Sequence, residues 1–172
     1  ALPLPEEYQS RMAALNRQLK KDYSKHLPRI SWTREGNWHL TLKFLGEVPK
    51  QDVDGLIQTL QTVRFTPFQF QAGSAGFFPP PKHGKPPQPQ VLWVGLAQGA
   101  PETIALAGSI EHALASLGFA RKKRRFSPHL TLGRIKAPPR RGTGGKPPSK
   151  TSETVWTQVL KDVRQMEWPV LE

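Results

Sequence analysis

The tetrapeptide His-Leu-Thr-Leu occurs twice in this chain, at 39–42 and again at 129–132. In an extended strand, side chains i and i+2 share a face. His39 and Thr41 therefore point one way and Leu40 and Leu42 the other, and His129 and Thr131 oppose Leu130 and Leu132 in the same manner. Each copy is a strand anchored by its leucines that offers an imidazole and a hydroxyl to the opposite side. One copy lies in each half of the chain, and each follows a predicted helix. Such a pattern suits two similar lobes rather than an array of short repeats.

Hydrophobic spacing predicts the remaining elements. Tyr8, Met12, Leu15 and Leu19 recur at helical intervals, predicting a helix over 5–22 with Pro5 at its first position and Glu6 and Glu7 at its positive end. The stretch 27–34 leads towards a strand over 38–45, which Gly46 ends. Val53, Leu56, Ile57 and Leu60 mark one face of a helix over 52–63. Phe68 and Phe70 alternate with Gln69 and Gln71 in a strand pattern over 66–73. A short apolar strand follows at 91–96. Ile104, Ala107, Ile110 and Leu114 belong to a helix over 102–117, stopped by Gly118. A strand over 126–135 and a helix over 152–164, with Val155, Val159 and Val163 inward, complete the order. The proline-rich run 79–89 and the basic Pro/Gly-rich run 136–150 read as exposed loops. Alternating strands between long helices favour α+β architecture with antiparallel sheets over a doubly wound parallel sheet.

Composition narrows the function classes. The 172 residues suit one domain, 1–172, made of two lobes. No run approaches the ~18 apolar residues of a membrane span, and no basic-then-apolar leader is present. The chain has no cysteine, which removes disulfides, thiolate metal sites and a cysteine nucleophile, and fits a cytoplasmic protein. Lys and Arg number 25 against 13 acids, a formal charge of +12. That excess favours a polyanionic partner, of which nucleic acid is the commonest.

Two imidazoles flanking one substrate suit acid–base catalysis without a metal. One neutral ring takes a proton from water, and one protonated ring gives a proton to a leaving oxygen. Two threonine hydroxyls can donate to the non-bridging oxygens of a phosphate. The acids are few, and none is spaced with these histidines as a two-His, one-carboxylate metal site requires. No Gly-x-Ser-x-Gly elbow is present. Coupled imidazoles of this kind give a bell-shaped pH profile that belongs to the pair.

The paired motifs, with the flanks Asn37-Trp38-His39-Leu40-Thr41-Leu42-Lys43-Phe44-Leu45-Gly46-Glu47-Val48 and Arg125-Phe126-Ser127-Pro128-His129-Leu130-Thr131-Leu132-Gly133-Arg134, resemble the 2H phosphoesterases. With Val91-Leu92-Trp93-Val94-Gly95-Leu96 they look like the RNA 2′,3′-cyclic phosphodiesterase branch, first known as 2′-5′ RNA ligase. The resemblance implies a bilobal fold: two pseudo-symmetric lobes, each an antiparallel sheet with helices outside, and a cleft between. It implies that His39 is the proton donor and His129 the proton acceptor, with Thr41 and Thr131 holding phosphate oxygens. It implies hydrolysis of a 2′,3′-cyclic phosphate at an RNA end to a 2′-phosphomonoester, without metal or cofactor, by a monomer. Relative to that family the chain is expected to lack a first strand and a last one. Two alternatives stand beside hydrolysis: ATP-independent 2′-5′ joining of RNA ends at the same site, and a basic RNA-binding module without turnover.

Other residues near the motifs are candidate substrate contacts. Phe126 and Phe44 flank the two copies and could stack on a terminal base, although Phe44 is better placed for the core. Arg124, Arg125 and Arg134 could pair with phosphates. Arg134 stands five residues after His129, so a regular strand sends it to the opposite face; it reaches the cleft only through a bulge or a turn at the strand end. The five Trp residues read as core or lobe-interface aromatics, and His26, His83 and His112 as ordinary surface or helix histidines. The run 142–146, Gly-Thr-Gly-Gly-Lys, lacks the spacing of a phosphate loop and reads as a basic loop.

Overall fold

In the computed structural model, residues 1–80, 88–121, 124–136 and 150–171 are described. Most of the proline-rich run with His83, the basic run at 137–149 with its Gly-Thr-Gly-Gly-Lys segment, and Lys122 and Lys123 lie outside the described residues.

The chain opens with strand β1 (Leu2–Pro3) and helix α1 (Glu6–Tyr23). Pro5 is the extended residue preceding the helix. Glu6 and Glu7 sit in the first turn and Lys20 and Lys21 in the last, complementing the helix dipole at both ends. Tyr8, Met12, Leu15 and Leu19 are fully buried, as the spacing predicts. Two short strands follow, β2 (Ile30–Trp32) and β3 (His39–Leu40). Helix α2 (Val53–Gln61) leads to the long strands β4 (Gln71–Phe78) and β5 (Val91–Gln98), then helix α3 (Ala100–Ala115), strand β6 (His129–Ile135) and helix α4 (Lys150–Gln165).

The strands form two sheets. β1 and β3 make a two-stranded sheet, and β2-β6-β5-β4 make a four-stranded one. Every pairing is antiparallel. One face of the larger sheet carries Ala75, Phe77, Leu92, Val94, Leu130 and Leu132, which join α1 and α4 in the main core. Tyr8 ties these layers by donating its hydroxyl to the Pro169 carbonyl at 2.7 Å while accepting from the Ala72 amide at 3.1 Å. A smaller core around Leu42, Leu106 and Ala107 lies between α3 and the segment after β3.

Three sequence expectations are corrected. The strand expected over 38–45 is seen as His39–Leu40, paired with Leu2–Pro3 in the smaller sheet. The strand expected over 66–73 begins only at Gln71, where the ladder to β5 starts; Phe70 instead bridges to Leu171. On α2 only Leu56 is buried, while Val53 and Ile57 of the predicted apolar face are exposed.

Candidate active site

Both His-x-Thr copies keep the orientation that strand alternation predicts. Leu130 and Leu132 are fully buried, and His129 and Thr131 lie half-buried on the opposite face of β6. In the first copy Leu40 enters the main core and Leu42 the smaller one. Thr41 is therefore pinned between two cores although it lies beyond the end of β3. β3 runs against β6, with Cα atoms of the two strands within 8 Å. The first motif thus lies where the smaller sheet abuts β6, the strand that carries the second.

The two imidazoles are held in the same way. His39 Nδ1 lies 2.9 Å from the Asn37 carbonyl, and His129 Nδ1 lies 2.7 Å from the Ser127 carbonyl. Each ring folds back on the residue two positions before it. A carbonyl only accepts, so Nδ1 carries the proton in both neutral rings. Thr131 is steadied through its own carbonyl, which accepts from Thr33 Oγ1 at 2.8 Å.

The site face of the larger sheet carries chemistry that sequence reading missed. Phe78 meets His129 edge to face, with ring centroids 5.0 Å apart, and lies 5.3 Å from the Trp93 ring. Trp93 itself lies over Gly76 and Gly95: a Cβ on Gly76 would stand 2.5 Å from Trp93 Cζ2, and one on Gly95 would stand 2.8 Å from Cζ3. The indole therefore spreads on bare backbone and floors the space beside His129. The signal in the sequence was the pair of glycines inside strand-like runs, which marks close approach.

Arg134 reaches this same face. Gly133 pairs with Leu92 whereas Thr131 pairs with Trp93, so Leu132 is an extra residue on β6. The bulge reverses the alternation. Ile135 packs against the main core, and the exposed Arg134 stands beside Val91, on the face of Trp93 and Thr131. Arg125 is exposed at a groove of about 320 Å³ whose walls include Trp93, Gly95, Phe126, Ser127 and Pro128. Phe126 packs on the smaller core and lines this groove. Phe44 is 76% exposed, so the core reading for it fails. On the other side His39 borders a wider recess of about 770 Å³ that also takes in Glu6, Gln9, Glu35 and Trp38. His26 and His112 are exposed and stand apart from these features. Among the described residues, no three His, Asp or Glu side chains gather as a metal ion requires.

This arrangement is matched in known proteins. Residues 2–87 fit the family model described as LigT like Phosphoesterase. The chain belongs to this family. The LigT-like likeness extends to solved structures over most of the chain. A structure titled TT0787 of Thermus thermophilus superposes with a TM-score of 0.63 at 25% identity, covering 82% of this chain and 75% of that one. E. coli LigT complexed with 3′-AMP gives 0.61 at 26% identity, covering 87% and 77%. An RNA 2′,3′-cyclic phosphodiesterase of Aeropyrum pernix is 38% identical over 100 residues, which is 58% of this chain and 54% of that protein. One of Archaeoglobus fulgidus is 39% identical over 58% of this chain and 53% of its own length. The matched region thus spans about half the length of these relatives. Among the described residues, no helix of this LigT-like chain is long and apolar enough to cross a membrane.

Proposed function

We propose that this chain hydrolyses 2′,3′-cyclic phosphate ends of RNA to 2′-phosphomonoesters, without a metal or cofactor. The observation that carries the proposal is the matched tethering of the two imidazoles, each by Nδ1 to the carbonyl two residues before it. With Nδ1 donating to a carbonyl in each ring, proton exchange falls to Nε2 in both, one ring taking the proton and the other giving it. The names of the relatives from Aeropyrum pernix and Archaeoglobus fulgidus support the same substrate class.

In this mechanism His129 Nε2 takes a proton from water as its oxygen attacks phosphorus. The bond from phosphorus to O3′ breaks, and O3′ takes a proton from protonated His39. The phosphate stays on O2′. Thr41 and Thr131 hold its non-bridging oxygens, and Arg134 and Arg125 draw in the anionic chain. Phe126 is placed for a base in the groove, and the exposed Phe44 for a more distant nucleotide. Residues 1–172 act as one catalytic unit in which each sheet supplies one motif.

The test is an oligoribonucleotide ending in a 2′,3′-cyclic phosphate, incubated in excess EDTA. A 2′-phosphate product is expected, with turnover lost in His39→Asn and in His129→Asn. A 3′-phosphate product reverses the leaving-group assignment. Binding without turnover, unchanged in both variants, replaces the enzyme with an RNA-binding module.

A further inference from the structure

A second device links the two motifs. Lys43 follows Thr41 by two residues, beyond the end of β3. Its side chain is only 5% exposed and its Nζ lies 3.0 Å from Glu111 Oε1, on α3, whose side chain is 15% exposed. The same ammonium donates to the Ala120 carbonyl at 2.9 Å. Ala120 lies on the connection that leads from α3 through Arg124, Arg125 and Phe126 to His129. One buried cation thus joins the exit of the first His-x-Thr motif to the approach of the second.

We propose that Lys43 is a positioning residue that sets the separation of the two motifs. Two observations support it, both just after Thr41. Leu42 anchors the next position in the smaller core, to which Leu106 and Ala107 of α3 also contribute. Lys43 then closes the frame on α3 and on the connection that follows it. A buried ammonium must keep its compensating carboxylate, since losing it leaves an unpaired charge away from water. The contact is therefore stiff and directional, whereas the apolar packing beside it is neither. It holds Thr41 and, through β3, His39 at a fixed offset from His129, although Lys43 itself touches no reacting atom.

This rests on the hydrolytic reading, so turnover by the unaltered chain and its loss in His39→Asn are measured first. Lys43→Met and Glu111→Gln are then compared with Val159→Ala, a cavity variant in the main core on α4. Each is assayed on the cyclic-phosphate oligoribonucleotide at a temperature where circular dichroism shows it folded. Misplacing reacting groups by about 1 Å costs up to roughly 100-fold in rate. The expected result is a fall in kcat of ~10- to 100-fold in the Lys43 and Glu111 variants with KM little changed, while Val159→Ala keeps its kcat despite an equal or larger loss of Tm. If Lys43→Met retains kcat as well as the Val159 control does, the positioning role is overturned. Should neither single variant fold, Lys43→Met/Glu111→Leu removes both charges together, and the same comparison decides. An inactive unaltered chain defeats the hydrolytic reading instead, a different outcome from an active Lys43→Met.

Discussion

His129 stands edge-on to Phe78, with ring centroids 5.0 Å apart and planes at 79°. Phe78 lies at the end of β4 and His129 at the start of β6, so this contact spans the sheet across β5. Aromatic pairs of this geometry contribute ~0.5–1.5 kcal/mol beyond area burial. Phe78→Ala should therefore release the imidazole and lower kcat by roughly 2- to 10-fold, a drop that steady-state kinetics on a cyclic-phosphate substrate would register. An unchanged kcat means that the Phe78 contact does not hold the ring.

The shared tether of His39 and His129 fixes a tautomer that can be seen directly. Long-range nitrogen–proton NMR spectra of the ligand-free protein should place the neutral-ring proton on Nδ1 in both residues. A neutral ring protonated on Nε2 in either one contradicts its bond to Asn37 or Ser127.

Arg134 shares the face of Trp93 and Thr131 only because Leu132 is an extra residue in β6, and on the proposed reading it meets substrate phosphate there. Binding of a single-stranded oligoribonucleotide should weaken with salt, and Arg134→Ala should reduce the slope of log K against log salt by roughly 0.7 to 1. An unaltered slope removes Arg134 from the interface. Gly133→Ala tests the bulge itself. Its new Cβ would stand 2.6 Å from Ile30 Cγ2, an overpacking expected to cost ~1–3 kcal/mol in denaturant unfolding.

Gly76 gives the Trp93 indole its floor. A methyl group there would meet Trp93 Cζ2 at 2.5 Å. Gly76→Ala should lift the indole towards Phe78, costing ~1–3 kcal/mol of stability and narrowing the groove beside His129. Chemical denaturation measures the first effect and KM for the oligoribonucleotide the second. A Gly76→Ala protein unchanged in both shows that the ring sits elsewhere in solution.

Tyr23 joins the end of α1 to α4 by donating to Asp162. Burial, and then the hydrogen bond to that carboxylate, push its phenol from the usual 10.0 up to about 12. A raised phenol value means that the folded state keeps the proton longer than the unfolded chain. The contribution is fully present below about pH 10 and fades as pH rises towards about 12. Denaturation midpoints at alkaline pH should fall through that window in the unaltered protein. In Tyr23→Phe, whose stability is lower at neutral pH, that fall should shrink. Identical alkaline profiles would separate Tyr23 from the effect.

The sequence determined which way the residues of the two His-x-Thr motifs face, because strand alternation is a local property of the backbone. Leu40, Leu42, Leu130 and Leu132 went inward and the His-x-Thr pairs outward, as a period of two dictates. Helical spacing likewise located the buried stripe of α1. Strand length was not legible, since it depends on which partner offers hydrogen bonds: β4 starts at Gln71, opposite Gln98, where β5 ends. Nor were the face of Arg134, the aromatic wall of Phe78 and Trp93, or the Lys43–Glu111 link. These depend on a single-residue bulge, on glycines opposite an indole, and on a charge pair between residues far apart in the chain. Periodicity gives each side chain a direction along its own element, but only packing between elements decides which distant atoms meet there.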